Sequence, residues 1–166
     1  MKFVVYNQSI KQNESLLDYI FNTLKENLSF MYGENMINAE SRQNWINNNL
    51  LNTDIYWRMV VAYDENKPCG FLIYTIQNDC FIVNDIEINQ EYRINPILLR
   101  GLFLNAFLIE KGKWNKLKGY INHKNTLSKK NFLRLATEII ENERGISFTL
   151  AKKEIENRFF IKQGSI

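Results

Sequence analysis

The sequence predicts an α+β fold, an α/β sandwich with a mixed, largely antiparallel central sheet flanked by helices. Segments typical of β-strands at residues 56–63, 70–77 and 80–88 follow one another through short turn signals, as antiparallel hairpins do. A helix-forming segment then separates residue 88 from a strand at residue 116, and this connection implies one parallel crossover. Further helices that are apolar on one side would cover the faces of the sheet.

The N-terminal part predicts one strand and one amphipathic helix. Residues 2–6 form the strand, and residues 15–28 form the helix, with Ser15 and Asp18 resembling a capping box. Its apolar positions recur at helical spacing, and they are Leu16, Leu17, Ile20, Phe21, Leu24 and Leu28.

A second, weaker helix is predicted at residues 40–49. Gly33 interrupts the helical pattern before it, Ser41 is its candidate N-cap, and Trp45 and Ile46 would face inward.

The rest of the chain alternates strands and helices. Turn signals at residues 64–68 and 78–79 separate the three middle strands. Residues 97–111 predict a helix that is apolar almost all round, hence buried on two sides, and Gly112 ends it. The elements that follow are a strand at 116–121, a helix from Asn125 or Thr126 to about Leu135, a hairpin of strands 138–142 and 146–152, and a frayed or partner-dependent tail beyond Asn157.

Composition predicts one domain spanning residues 1–166. The chain is 45% hydrophobic and carries a net charge of +3, with its cations spread among acids, so we expect neither disorder nor a nucleic-acid partner. No apolar run reaches transmembrane length, and we expect no membrane partner. Cys69 and Cys80 indicate reduced residues of a cytoplasmic protein, the alternative being a disulfide or a reactive thiol. Two cysteines and one histidine predict no metal site.

The most informative segment is residues 81–101, in which a strand passes through a polar turn into a helix. Arg93 lies in the turn, Asn95 occupies the N-cap position and Pro96 the first helical position. Such a junction presents unpaired amides and the positive helix end to an anion. The segment therefore predicts an anionic cofactor, although the loop lacks glycine.

This layout resembles the cofactor-binding segment of the GNAT superfamily of N-acetyltransferases, in which a strand and a polar turn precede a Q/R-x-x-G-x-G/A loop and a helix. Ile88 ends the strand here, and Arg93 matches the first loop position. Pro96 and Leu98 stand where the family has a glycine and a second small residue. The element order also matches the GNAT fold over nearly the whole chain.

A second motif lies downstream. Asn125, Ser128 and Phe132 have the spacing of a family Asn, a small residue and a Tyr that often protonates the departing thiolate. Phenylalanine has no hydroxyl and cannot donate a proton. Tyr120 and Tyr92 are the alternative donors by position.

The resemblance implies acetyl-CoA as co-substrate and a base for the acceptor amine. Glu87 and Asp85 lie two apart on one strand face and are the candidate bases, the alternative being ordinary solvated or ion-paired carboxylates. The implied cofactor-binding residues are Ile86, Ile88, Arg93, Ile94, Asn95, Ile97, Leu98, Asn125 and Ser128.

The loop sequence predicts weakened CoA binding. Pro96 removes one amide donor, and the Asn95 side chain competes with a phosphate for the amides of Ile97 and Leu98. Losing one charge-assisted hydrogen bond costs roughly 1.5–3 kcal/mol, which is about ten- to a hundredfold in affinity. The candidate compensating cations are Arg93, Arg100, Lys129 and Lys130.

The acceptor is a small-molecule or protein amine of unspecified identity. Glu34 and Glu40 are candidates to attract it, and His123 reads as a surface residue rather than a base. Aromatic residues either build the acceptor pocket or pack the core, namely Phe30, Tyr32, Trp45, Tyr56 and Trp57. The aromatic segment 158–161 is a candidate homodimer contact.

Three functions fit these observations. The first is a GNAT-like N-acetyltransferase, and the second is a GNAT-fold protein without catalysis that binds a ligand or partner. The third is an unrelated α+β interaction domain. Splayed fourth and fifth strands, between which the GNAT pantetheine arm enters, would separate the third from the other two.

Overall fold

A seven-stranded mixed sheet organises the protein. The computed structural model describes residues 1–33 and 37–159, apart from the side chains of Phe30, Tyr32 and Phe159. The strands are β1 (Lys2–Tyr6), β2 (Trp57–Asp64), β3 (Lys67–Gln77), β4 (Cys80–Ile88), β5 (Lys116–Asn122), β6 (Glu138–Glu141) and β7 (Gly145–Ala151). Their order is β1-β2-β3-β4-β5-β7-β6, and only the β4–β5 pair is parallel. The predicted fold class and its single crossover are confirmed.

Helices cover both faces of this sheet. They are α1 (Glu14–Tyr32), α2 (Ala39–Asn49), α3 (Pro96–Ile109), α4 (Thr126–Phe132) and α5 (Lys152–Phe159), with short 3-10 turns at Gln8–Gln12, Gln90–Tyr92 and Leu133–Leu135. The helix predicted from residue 125 or 126 to 135 is therefore an α-helix of seven residues followed by a 3-10 turn.

Two apolar cores lie on opposite sides of the sheet. The core under α1 includes Leu17 and Ile20 of the predicted apolar stripe, packed on Trp57 and Phe71, and Trp45 and Ile46 of α2 contact its edge. The core under α3 contains residues of α3, α4 and α5, including Leu102, Phe103, Phe107, Phe132 and Ile155. The sheet thus separates two hydrophobic layers, each covered by its own helices.

The prediction that α3 is buried on two sides is wrong at its ends. Leu98, Leu102 and Phe103 are fully buried, whereas Ile97 is 68% and Leu108 61% exposed. The exposed residues lie on the part of α3 that neither the sheet nor the neighbouring helices α4 and α5 cover.

The N-terminal caps differ from the predicted ones. Asn13, rather than Ser15, caps α1, because its side chain accepts a hydrogen bond from the Leu16 amide at 3.0 Å. Asn38 caps α2, with Ser41 as the reciprocal partner of a capping box. Asparagine caps as well as serine, and an apolar pattern marks the first buried residue of a helix rather than its first residue.

The C-terminal region contains a helix that the sequence did not predict. The hairpin of β6 and β7 is confirmed, and β7 lies between β5 and β6. β7 ends at Ala151, and α5 begins at once where a strand end and a frayed tail were predicted. Ile155, 1% exposed, anchors α5 to the core.

Candidate active site

A β-bulge in β4 determines which side chains reach the site. Tyr74 pairs with Val83 and Ile73 pairs with Asp85, so Asn84 is an extra residue without a partner on β3. A bulge bends its strand and shifts the alternation of side chains by one position.

The shifted alternation places two carboxylates under α1. Before the bulge, Phe81 belongs to the core under α3. After it, Asp85 and Glu87 lie opposite Ile73 and Phe71, which belong to the core under α1. The prediction that the two carboxylates share one face agrees with this register.

β4 and β5 diverge where the bulge begins. Their parallel pairing covers three positions and ends at Ile82 opposite Lys118. β5 continues to Asn122 with β7 as its neighbour on the other side. From Val83 onward, the β4 edge facing β5 has no strand partner among the described residues. The space between β4 after Ile82 and β5 after Lys118 is called the wedge below.

A cavity of about 560 Å³ occupies this wedge. Its walls are the end of β4, the loop before α3, the first turns of α3 and α4, and residues of α1 and α5. Most of the predicted site residues line it together, namely Ile86, Glu87, Ile88, Arg93, Ile94, Asn95, Asn125 and Ser128.

Three predicted site residues do not line the cavity: Asp85, Ile97 and Leu98. The Leu98 side chain is fully buried beneath Gly70, whose added Cβ would lie 3.0 Å from Leu98 Cδ2. The Ile97 side chain points into solvent. Their positions on α3 turn both side chains away from the wedge, so only their amides could serve a ligand.

Those amides are already hydrogen-bonded. The Ile97 amide donates to Asn95 Oδ1 at 3.0 Å, and the Leu98 amide donates to the Asn95 carbonyl at 3.3 Å. Pro96 has no amide hydrogen. A phosphate group would have to displace the Asn95 side chain, which is the competition that the sequence predicts.

Cationic side chains dominate the cavity wall. Arg93, Arg100, Lys124 and Arg158 line it, and Glu87 is the one acid among the described lining residues. Arg93 and Arg100 were predicted, whereas Lys129 and Lys130 lie outside the lining. The sequence analysis missed Lys124 and Arg158, and Arg158 gave no signal because its helix was not predicted. The balance of charge favours an anion.

Asn27 of α1 forms hydrogen bonds to Arg93, in the loop before α3, and to Glu87, the candidate base. Its Nδ2 donates to Glu87 Oε2 at 2.7 Å and to the Ile88 carbonyl at 3.2 Å. The Arg93 guanidinium donates to Asn27 Oδ1, and Arg93 Nε also donates to the Ile88 carbonyl at 3.4 Å. Asn27 is only 3% exposed. The sequence analysis missed this residue, although a buried polar side chain on an apolar helix face was a usable signal.

Both carboxylates bind protons more tightly than usual. Burial raises the pKa of Glu87 to about 7, and Asp85 adds to the rise while the Asn27 hydrogen bond and the Arg93 charge oppose it. Burial also raises the pKa of Asp85 to about 7. A carboxylate with a pKa near neutrality, exposed to a cavity, suits general-base chemistry, and only Glu87 meets both conditions.

Phe132 stands where the family has its tyrosine, and the described lining of the cavity contains no phenol. Phe132 lines the wall, and its ring stacks on Phe148 at 5.5 Å between centroids. The Tyr92 hydroxyl donates to Asp64 at 3.0 Å, and neither Tyr92 nor Tyr120 lines the cavity. The two alternative proton donors are therefore misplaced for this role.

Four further candidates do not line the cavity, namely Trp45, Trp57, Tyr56 and His123. Trp45 and Trp57 pack edge to face at 6.0 Å in the core, as the packing alternative predicts, and the Tyr56 hydroxyl donates to the buried Glu110 at 3.2 Å. His123 Nε2 lies 2.7 Å from the Asn142 carbonyl, away from the cavity.

Part of the predicted acceptor region falls outside the described parts of the structure. Glu40 is exposed on α2. The side chains of Phe30 and Tyr32 lie outside the described part, as do all of Glu34 and residues 160–161 of the predicted dimer contact.

Known structures share this architecture. One is an aminoglycoside 6'-acetyltransferase type Ii, with a TM-score of 0.67 and 13% identity over 91% of this chain and 97% of that one. The chain has the GNAT fold. A PaiA N-acetyltransferase from Thermoplasma acidophilum in complex with coenzyme A has a TM-score of 0.64 and 14% identity over 91% of this chain and 99% of that one.

A mutant of spermidine N-acetyltransferase SpeG from Vibrio cholerae also matches the GNAT fold of this chain, with a TM-score of 0.65 and 14% identity over 95% of this chain and 99% of that one. No protein-family model and no curated protein matches the sequence. The shared fold and the splayed strands leave no support for an unrelated α+β domain.

The described residues form neither a metal-binding cluster nor a membrane-spanning helix. No three His, Cys, Asp or Glu side chains among them come together to hold a metal ion. No helix within residues 1–33 and 37–159 combines the length and apolarity that a membrane span requires.

Proposed function

We propose that the protein is an N-acetyltransferase that uses acetyl-CoA to acetylate an amine of a small molecule or a protein. The observation that carries this proposal is Glu87, a carboxylate with a pKa of about 7 on the wall of a cationic cavity between two diverging strands. The GNAT fold of the chain adds support.

The cavity residues fit acetyl-CoA through side chains more than through loop amides. Arg93, Arg100, Lys124 and Arg158 supply cations for its phosphates. The unpaired β4 edge beyond Ile82 offers backbone groups to the amides of its pantetheine arm. Because Asn95 occupies the loop amides, we expect binding weaker than a glycine loop would give.

Glu87 would accept the proton that the amine loses. When bound, acetyl-CoA supplies the thioester, and the amine nitrogen forms a bond to its carbonyl carbon as the bond to sulfur breaks. The Glu87 carboxylate takes the amine proton, directly or through one water. Phe132 has no proton for the departing thiolate, so water in the open cavity supplies it.

The first experiment is thermal stability with and without millimolar acetyl-CoA, with free CoA and ATP as controls. A ligand at about a hundred times its dissociation constant adds roughly 2.7 kcal/mol to the free energy of unfolding. We expect a shift specific to the CoA compounds. No shift at saturating ligand would remove the acetyltransferase proposal and favour a GNAT-fold binding protein without catalysis.

An amine panel with detection of released thiol would then test catalysis. Replacing Glu87 with Gln keeps the hydrogen bond from Asn27 but removes the proton acceptor, and we expect kcat to fall by about 10²–10⁴. The control is Glu14→Gln, an exposed α1 carboxylate outside the cavity. Equal activity of Glu87→Gln and the wild type would contradict the assignment of the base.

Location and assembly remain part of the proposal. Cys69 and Cys80 are both buried and unpaired, which fits a reducing cytoplasmic compartment. A homodimer through the C-terminal segment stays a prediction, which light scattering on the full chain would test.

A further inference from the structure

We propose that Asn27 couples the anion-binding end of the cavity to Glu87, so that an anion engaging Arg93 is bound together with a proton on the Glu87 carboxylate. This inference rests on the proposed binding of an anion in the cavity. It assigns a positioning role to a buried residue of α1.

The orientation of the Asn27 amide follows from the chemistry of its neighbours. A guanidinium can only donate hydrogen bonds, so Asn27 Oδ1 must face Arg93. The Asn27 Nδ2 group then faces Glu87 Oε2 and the Ile88 carbonyl, at 2.7 and 3.2 Å. Arg93 therefore fixes the amide in the orientation that favours an ionised Glu87.

An anion bound to Arg93 changes two interactions that favour the ionised form of Glu87, namely the charge of Arg93 and the hydrogen bond from Asn27. A phosphate that engages Arg93 offsets the guanidinium charge, which otherwise favours the carboxylate form. It also competes with Asn27 Oδ1 for the guanidinium protons. The hydrogen bond from Asn27 Nδ2 to Glu87 then weakens, because Arg93 no longer polarises the amide as strongly. Both effects favour proton uptake from solvent by Glu87.

The other groups around Glu87 do not supply this coupling. Asp85 lies on the same strand and disfavours its ionisation, with or without a ligand. The Tyr19 hydroxyl of α1 donates to Asn89 at 2.8 Å and keeps its proton, since burial raises its pKa. Lys124 lies on the cavity wall after β5 and donates to the Met31 carbonyl at 3.3 Å. Phe71, which lies opposite Glu87 on β3, is uncharged.

The coupling has a consequence for catalysis. A Glu87 carboxyl that takes up a proton with the anion can act as a base only after it releases that proton, so anion binding moves the pH range in which Glu87 accepts the amine proton upward. By reciprocity, protonation of Glu87 tightens anion binding. We therefore expect CoA affinity to fall as the pH rises through the pKa range of Glu87.

The test is an NMR titration of the glutamate carboxyl resonances, with CoA and with inorganic pyrophosphate as probes. A nearby cation lowers a carboxyl pKa by about 1–3, and Arg93 is linked to Glu87 through the Asn27 amide. Removing the charge of Arg93 should therefore raise the pKa of Glu87. We expect either probe, or Arg93→Gln without any probe, to raise the proton affinity of Glu87 about tenfold. Arg42→Gln is the matched control, because Arg42 pairs with Glu14 and Asp18 far from the cavity.

Asn27→Leu tests the role of the amide itself. This variant removes the polar link while keeping a side chain of similar size, and the Glu87 response to pyrophosphate should become smaller. Asn22→Leu, on the exposed face of α1, should leave the response unchanged. Calorimetry in two buffers of different ionisation enthalpy should show greater proton uptake in the wild type than in Glu87→Gln, and the comparison cancels the protons that the probe's own phosphates exchange.

The outcomes separate this inference from the proposed function. Binding without a change in the Glu87 titration, an undiminished response in Asn27→Leu, or equal proton uptake by the wild type and Glu87→Gln would overturn the coupling. A Glu87 titration that Arg93→Gln leaves unchanged would do the same. Failure of CoA alone to bind would count against the acetyltransferase proposal, while pyrophosphate and Arg93→Gln would still decide the coupling.

Discussion

At the scale of single residues, Asp85 and Glu87 share a strand face but have different environments. Asn27 donates to Glu87, which lines the cavity, whereas no hydrogen-bond donor among the described residues reaches the Asp85 carboxylate. Burial without a partner makes ionisation of Asp85 costly to the fold. The sequence could place both on one face, but it could not distinguish their roles, because those depend on what α1 brings over each.

Asp85→Asn should stabilise the protein at neutral pH. Burial raises the folded-state pKa of Asp85 from 3.8 to about 7. The stability gained from its protonated form is therefore complete below about pH 4 and is lost as the pH rises to about 7. Each tenfold difference in proton affinity between the folded and unfolded states corresponds to about 1.4 kcal/mol.

Urea unfolding of the wild type and Asp85→Asn across this pH range would measure the effect. The stability advantage of the variant should be absent near about pH 4 and should grow to a constant value above about pH 7. Asp54→Asn, at an exposed loop position, is the control. An advantage of equal size at every pH would mean that packing rather than ionisation accounts for it.

Leu98→Ala should lower stability rather than improve a binding loop. Leu98 stands where the family has a small residue, but its side chain is fully buried in the core under α3. Truncating a buried leucine costs about 2–5 kcal/mol. Ile97→Ala is a matched control one residue away, since Ile97 is mostly exposed, and it should cost less than about 0.5 kcal/mol. Chemical denaturation that gave equal losses for the two would contradict the placement of Leu98.

At the scale of elements, the sequence predicted what local signals specify. Asn95 and Pro96 marked the start of α3 correctly, because capping and a fixed φ act within one helical turn. The bulge at Asn84 has no such signal, since no glycine interrupts that run of β4 and the extra residue is defined only by pairing with β3. α5 was missed because Ile155, the buried anchor among its described side chains, produces no recognisable period.

The loop before α3 shows how a good cap can work against a ligand. The Asn95 side chain stabilises α3 by holding the Ile97 amide that a phosphate would need. Asn95→Gly should release that amide at a cost of only a few tenths of a kcal/mol, about what glycine costs at an N-cap. We expect acetyl-CoA to bind about tenfold more tightly or better, which matches one charge-assisted hydrogen bond.

Asn13→Gly provides the control for that experiment. Asn13 caps α1 in the same way, by accepting from the Leu16 amide, and it does not line the cavity. Its replacement should lower stability by a similar amount and leave acetyl-CoA affinity unchanged. If calorimetry showed no gain for Asn95→Gly, the occupied amide would not be the obstacle to binding.

At the scale of the whole molecule, the net charge is small, but positive charge is concentrated at the cavity. The chain carries +3 overall, yet Arg93, Arg100, Lys124 and Arg158 converge on one cavity. They come from the loop before α3, from α3, from the segment before α4 and from α5. Sequence distance hides this convergence, since only the folded sheet order brings α5 beside the β4–β5 wedge.

Arg158→Gln tests whether α5 completes the cavity. The Arg158 guanidinium lies 5.8 Å from the centre of the Phe132 ring and donates to the Asn131 carbonyl, so it joins α5 to α4. If it contributes charge to anion binding, CoA affinity should fall in this variant, by about tenfold for one charge-assisted hydrogen bond. The loss should be larger at about 0.05 M than at about 0.5 M salt, because salt screens the interaction.

Pantetheine, which lacks the phosphates, separates charge from structure in that experiment. A purely electrostatic role for Arg158 predicts that pantetheine binding is insensitive to both the variant and the salt. Lys153→Gln, an exposed position on α5 outside the cavity, should change neither ligand's affinity. If Arg158→Gln weakened CoA and pantetheine equally at every salt concentration, α5 would shape the cavity by packing, and anion binding would depend on the other three cations, Arg93, Arg100 and Lys124.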